Sequence, residues 1–179
     1  MGNERDHALI ERCLRGDRRA LEELIKEYEK PVYNVAYRIL GNRDDAADIT
    51  QAVFLKVFER LGQYDPSYKL FSWIYRIAIN ESINQRNRGR MEQPLGDDDF
   101  EAAARPEDEV QAGQLSDVIQ SALMTLQEDY RVVVVLRHFS ELSYRDIGDV
   151  LHIPEKTVKS RLYSARQLMK ARFDELGMG

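Results

Sequence analysis

From Asp17 onward, apolar residues return every three or four positions, which is the spacing of amphipathic helices and not of strands. Asp17 is placed to cap a helix running to Tyr28, with Leu21, Leu24 and Ile25 on one face. Pro31 suits the first turn of a continuation that carries Val32, Val35, Ala36, Ile39 and Leu40 and ends at Gly41. Asp44 or Asn42 then caps a long helix whose inward stripe is Ile49, Val53, Phe54, Val57, Phe58 and Leu61. Gly62 to Lys69, with Asp65-Pro66-Ser67 inside it, reads as a loop. A further helix from about Phe71 to Arg88 turns Ile74, Ile77, Ala78 and Ile83 inward.

The second half of the chain repeats the helical pattern, with one segment that argues against it. Val132 to Leu136 is a run of β-formers. It contains no turn residue and lies between helical neighbours, so the expectation is a helix buried on most sides, packing overriding propensity. Ser143 can cap a short helix with Ile147, Val150 and Leu151 inward, His152-Ile153-Pro154 makes a turn, and a longer helix starts near Glu155. A short helix, a tight turn and a longer helix form the helix-turn-helix pattern. At roughly 100° per residue, Val158, Leu162, Ala165 and Met169 fall within a sector of about 60°, which is the packed side. Lys156, Ser160, Tyr163 and Gln167 point almost oppositely, flanked by Lys159, Arg166 and Lys170.

Between the halves, QPLGDDDFEAAARPEDEVQA has few large apolar side chains. It cannot bury enough surface to offset its ordering entropy and reads as an acidic flexible linker. The expected fold is all-α: a small helical domain at 1–92, the linker at 93–112, and a second helical domain at 113–179 containing the helix-turn-helix.

Charge sharpens this picture. The net charge of −5 argues at first against a nucleic-acid partner. Residues 1–92 carry 16 Lys+Arg against 15 Asp+Glu, residues 113–179 carry 9 against 9, and residues 93–112 carry 1 against 7. The acidic excess therefore sits in the linker, and two basic patches stand apart from it. Glu155 to Arg172 holds six Lys+Arg and one acid, a pattern suited to a helix in the major groove, although a solvated basic face would look the same. Lys69 to Arg90 holds five Lys+Arg and one acid, beside Phe71, Trp73 and Tyr75 and with Asn80 and Asn84 one turn apart. Cations, aromatics and amides together suit single-stranded nucleic acid. Phe71 and Trp73 are equally core candidates, and Asn80 alone could be an ordinary surface residue. Arg161 points toward the packed side and reads as an intramolecular ion pair or a phosphate contact. On the helix after Asp44, the residues Asp48, Gln51 and Leu55 align on a face separate from the apolar stripe and could dock a protein partner.

Composition excludes other classes. The lone Cys13 can form no internal disulfide, and His7, His138 and His152 are scattered, so no metal site and no cofactor is expected. No Gly-rich phosphate loop or nucleophile–base pair is present, so an enzyme is not expected. No apolar run approaches the roughly 20 residues that span a bilayer, and the N-terminus carries no signal-peptide core. A soluble cytoplasmic protein is the expectation.

Three segments then carry a family resemblance: DDAADITQAVFLKVFERL, FSWIYRIAINESINQRNR and LSYRDIGDVLHIPEKTVKSRLYSARQLMKARF. In order and spacing they resemble the extracytoplasmic-function (ECF) sigma factors of bacterial RNA polymerase, in the sigma-70 family. The resemblance implies a protein that binds core RNA polymerase and directs initiation at promoter DNA. It places Asp48, Gln51 and Leu55 on the clamp of the largest polymerase subunit. It places Lys69, Trp73, Arg76, Asn80 and Asn84 on the melted −10 strand, with the loop from Gly62 to Tyr68 holding a flipped base. It places Lys156, Lys159, Ser160, Tyr163 and Arg166 on the −35 duplex. It further implies an anti-sigma factor as partner, weak DNA binding by the free protein, and a linker whose acids, Asp97 to Asp99 among them, run toward the RNA exit path. Four positions depart from the family pattern. Ala52 replaces a common acid, His152 replaces a usual turn glycine, and Lys156 and Ser164 alter the charge pattern toward DNA. Two other readings remain: a stand-alone helix-turn-helix regulator, and an adaptor that binds polymerase without reading DNA.

Overall fold

The computed structural model describes residues 2–92 and 110–177, and among these every regular element is helical. The order is α1 (Gly2–Leu14), α2 (Arg18–Leu40), α3 (Arg43–Arg60), a 3₁₀ turn (Leu61–Gln63), α4 (Leu70–Glu92), α5 (Val110–Thr125), α6 (Glu128–His138), α7 (Tyr144–Leu151) and α8 (Glu155–Glu175). The expected linker lies outside the described residues except at its end, where 110–112 already belong to α5.

Caps delimit the helices. The Asp17 carboxylate accepts from the backbone N–H groups of Arg19 and Ala20 at 2.9 and 3.4 Å, supplying two of the acceptors that a first turn lacks. Asn42, not Asp44, caps α3, accepting from the N–H groups of Asp44 and Asp45. Gly41, at φ +78°, ends α2 in the left-handed conformation. Pro31 does not open a separate segment but lies inside an unbroken α2. Leu24 and Tyr28 before it and Val32, Val35 and Ala36 after it form one continuous buried stripe, and that packing carries the helix through the missing N–H.

Two cores result. The first joins α1 to α4 around Leu24, Val32, Val53, Val57, Leu70 and Ile74. The second lies among α5 to α8 around Leu123, Val133, Leu136, Ile147, Val150, Val158 and Leu162. The valine run is helical and buried on every side, Val132 through Leu136 all being buried. The second core also takes in Val35 and Ile39 of α2 and Tyr75 and Ile79 of α4, so the two halves share apolar surface.

The helix-turn-helix geometry depends on two positions. His152 takes φ 55°, ψ 42°, the left-handed position expected of a turn glycine, and its N–H donates to the Gly148 carbonyl. Gly148 is buried, and a Cβ there would lie 2.8 Å from the Ile153 carbonyl oxygen. Backbone cannot yield there as a flexible side chain would. Gly148→Ala is therefore expected to cost about 1–3 kcal/mol and lower the melting temperature by several degrees, as read by circular dichroism.

Candidate nucleic-acid interface

Helix α8 presents the face expected from its periodicity. Val158, Leu162 and Ala165 are buried, while Lys156, Lys159, Ser160, Tyr163 and Arg166 are exposed, Tyr163 at 68%. Met169, expected on the packed side, is half-buried. Arg161 Nη2 lies 2.6 Å from Asp129 Oδ2, so this arginine ties α8 to α6 and is not part of the outward face. Lys159 Nζ lies 2.7 Å from Glu155 Oε1 one turn earlier, and this hydrogen bond raises the ammonium pKa above its ordinary value. The charge thus remains positive through neutral pH. The outward face carries three cations, a hydroxyl and an aromatic on one rigid helix, which is what base edges and phosphates in a major groove require.

Helix α4 begins where the loop after α3 ends. In that loop the Tyr64 hydroxyl donates to the Tyr68 carbonyl, the Ser67 N–H donates to Asp65, and the Tyr64 ring lies 5.6 Å from the Trp73 indole. Trp73 and Phe71 are both half-buried against the first core, so they join core packing and keep an outer edge. Asn80 and Asn84 are exposed one turn apart. Asn80 and Arg76 line an open cleft of about 210 Å³ together with Ile83, Asp129, His152 and Arg161.

Lys69 and Arg76 are already partnered. Lys69 Nζ lies 2.7 Å from Asp146 Oδ1, and Arg76 donates to the carbonyls of Val150 (3.0 Å) and Asp149 (2.5 Å). Burial by itself would raise the Asp146 carboxyl, but hydrogen bonds from Lys69 and Ser143 outweigh it and hold the group below its ordinary value of 3.8. This contact is therefore complete at neutral pH and is lost only as pH falls below that range. Burial lowers the Arg76 guanidinium, with Tyr68 and Asp149 opposing it.

On α3 the residues Asp48, Gln51 and Leu55 are all exposed, Leu55 at 64%, opposite the stripe of Ile49, Val53 and Val57. Lys56, on the neighbouring face, pairs with Glu81 of α4 at 2.5 Å. An apolar side chain held in water between an acid and an amide suits a protein surface more than a nucleic acid. Two important residues carried no sequence signal as sites. Arg131 is a single cation before the valine run, and Gln120 is one amide in a helix of mixed composition.

Residues 24–91 match the family model for Sigma-70 region 2, and residues 116–169 match that for Sigma-70 region 4. The ECF RNA polymerase sigma factor SigW of Bacillus subtilis is 31% identical over an alignment covering 93% of this chain and 96% of SigW. This chain belongs to the ECF RNA polymerase sigma factors. Such a factor directs RNA polymerase to promoters, and this ECF sigma factor carries both regions that the family uses on promoter DNA. Among solved structures, the sigma factor RpoE of Bartonella quintana, bound to the anti-sigma factor NepR, superposes with a TM-score of 0.71 at 25% identity, covering 86% of this chain and 96% of that one. CnrH, in complex with the cytosolic domain of CnrY, shares the fold with a TM-score of 0.74 at 21% identity, covering 95% and 97%. Among the described residues, no helix of this sigma factor is long and apolar enough to cross a membrane.

Proposed function

We propose that residues 1–92 bind core polymerase and hold the melted −10 strand, that 113–179 read the −35 duplex, and that 93–112 link the two. The observation that carries this reading is the alignment of Arg76, Asn80 and Asn84 along α4, with Lys69 just ahead of its first turn, beside the half-buried Trp73 and the loop that Tyr64 braces. Cations meet the strand's phosphates, the amides reach base edges, and the loop from Gly62 to Tyr68 encloses an unstacked base. Unstacking costs a few kcal/mol per base, which contacts to the extruded base must offset. Asp48, Gln51 and Leu55 dock the clamp of the largest polymerase subunit, with Ala52 omitting one charged contact. Lys156, Lys159, Ser160, Tyr163 and Arg166 occupy the −35 major groove.

The factor selects the promoter and contributes no bond-making chemistry, which the polymerase supplies. It acts in the cytoplasm. An anti-sigma factor holds it inactive, by likeness to the Bartonella quintana RpoE seen bound to NepR. The test adds the purified chain to core polymerase and scores initiation on a promoter library. Wild type is expected to select a defined set of promoters. Asn80→Ala is expected to keep core binding and duplex binding but reduce open complexes by roughly tenfold, the loss of about 1–3 kcal/mol of base contact. Tight duplex binding without polymerase, with no effect of Asn80→Ala, would instead indicate a stand-alone regulator.

A further inference from the structure

The loop assigned to the extruded base has one anchor in the first core. Of the described residues from Gly62 to Lys69, all are exposed except Tyr64, which packs against that core. The Tyr64 ring is half-buried and meets the Trp73 indole at 5.6 Å, the two planes tilted by 58°. Leu61 and Leu70, on either side of the loop, are buried, so the ends are fixed while the exposed backbone between them gains little from apolar burial. Its shape therefore depends on hydrogen bonds to offset the entropy of ordering it.

Those bonds close the loop on itself. The Tyr64 N–H donates to the Leu61 carbonyl at 3.2 Å and ends the 3₁₀ turn. The Ser67 N–H donates to Asp65 Oδ1 at 2.9 Å and the Tyr68 N–H to the Asp65 carbonyl at 3.1 Å, forming a tight turn through Pro66. A further bond spans the whole loop. The Tyr64 hydroxyl donates to the Tyr68 carbonyl, so the side chain at one end holds the backbone at the other. A carbonyl only accepts, and this bond requires the protonated phenol. Burial, with Asp6 and Asp65 adding to it, pushes the Tyr64 hydroxyl up to about 12, and the donor is intact at neutral pH.

We propose that Tyr64 is a positioning residue for the extruded base: its hydroxyl fixes the Tyr68 carbonyl, and with it the width of the loop, and this width sets the preferred base at that −10 position. The proposal rests on the assignment of this loop to an unstacked base. In this role Tyr64 touches neither base nor phosphate and acts through the loop backbone. A loop of fixed shape rejects a base whose polar edge it leaves unpaired, whereas a loop free to widen accepts several. Ring and hydroxyl have separate tasks. The ring seats the loop on Trp73, and the hydroxyl sets the distance across it.

The test uses Tyr64→Phe, which keeps the ring and removes the hydroxyl. Reconstituted holoenzyme is scored for initiation on a promoter library randomised through both elements. Trp73 is the one tryptophan of the chain, so emission of the full chain alone reports whether the ring keeps its seat. Tyr64→Phe is expected to leave that emission and the melting temperature near wild type. It is expected to lower discrimination at a single −10 position by about fivefold, within the range of one hydrogen bond, with −35 preference unchanged. Tyr64→Leu removes the ring as well, and is expected to shift the emission and flatten that position further. A purely structural role would instead lower initiation on all promoters alike, with base preference intact. That outcome, a loss spread over both elements, or wild-type discrimination in Tyr64→Phe would overturn the proposal. Failure of the underlying assignment is distinguishable through 2-aminopurine placed in turn along the −10 strand, whose emission rises on unstacking. If no position brightens with wild-type holoenzyme, the loop holds no unstacked base and the assignment falls. If one brightens while Tyr64→Phe discriminates as wild type does, only the positioning role of Tyr64 is refuted.

Discussion

Arg131→Ala is expected to destabilise the C-terminal helices by roughly 3–5 kcal/mol, the largest loss of any single substitution considered for this sigma factor. Arg131 is 1% exposed, and among the described residues its guanidinium bonds to backbone oxygens and to no carboxylate. Nε donates to Leu123, Nη2 to Met124 and Leu126, and Nη1 to Ile39, at 2.8 to 2.9 Å. Three of those oxygens belong to the end of α5 and the turn after it, so one side chain closes the helix end that sequence capping residues leave open. Truncation leaves these acceptors in a site that water reaches poorly, each costing about 1–3 kcal/mol, with Arg86 still donating to Ile39 at 3.3 Å. Against a typical total of about 5–15 kcal/mol this is a large share. Arg131→Met fills the same volume and isolates the lost hydrogen bonds, and Arg131→Lys keeps the charge without the planar fork. Urea unfolding followed by circular dichroism should rank them wild type, Lys, Met, Ala. A loss below about 1 kcal/mol for Met would mean that the four carbonyls are satisfied by other means.

How far such features are legible in the sequence depends on their range. Caps are local, so Asp17, Gly41 and Ser143 can be placed from their neighbours alone, and the choice between Asn42 and Asp44 turns on two residues of register. The helical face of α8 is legible because its period is fixed by backbone geometry, down to Arg161 pairing inward. The valine run required a judgement that packing beats propensity, and its complete burial shows why it does. Pro31 is the reverse case. A local rule places a segment start there, and a buried stripe running on both sides of it keeps one helix.

Long-range pairs leave no such trace. Asp146 looks like the partner of its own capping serine, and nothing in its neighbourhood points 77 residues back to Lys69. Arg131 and Gln120 look like isolated polar residues because the oxygens they satisfy belong to other helices. A reading by local charge finds where the cations are but not what already holds them. That is why two basic patches, legible as such, do not disclose that α7 holds Lys69 and Arg76 of one of them.

Removing Lys159 and Arg166 together is expected to lower −35-dependent initiation by roughly a hundredfold, while initiation that does not depend on the −35 element changes little. Both side chains are exposed on the flank of α8, and neither carries core packing. The double alanine variant should therefore fold with a melting temperature near that of wild type. Each neutralised phosphate contributes about 0.9 to the slope of log affinity against log salt, so the variant's slope should be shallower by about 2. Lys159 must leave Glu155 to reach DNA, a solvent-exposed exchange that costs little. Its substitution alone should accordingly act through affinity and salt response more than through base preference. Tyr163→Ala offers the contrast: it removes an aromatic from the centre of the outward face without touching charge. It should relax the preferred −35 sequence and leave the salt slope unchanged. Measured by filter binding of the holoenzyme over a salt series, a double alanine variant with an unchanged slope would place the −35 phosphates on some other surface than α8.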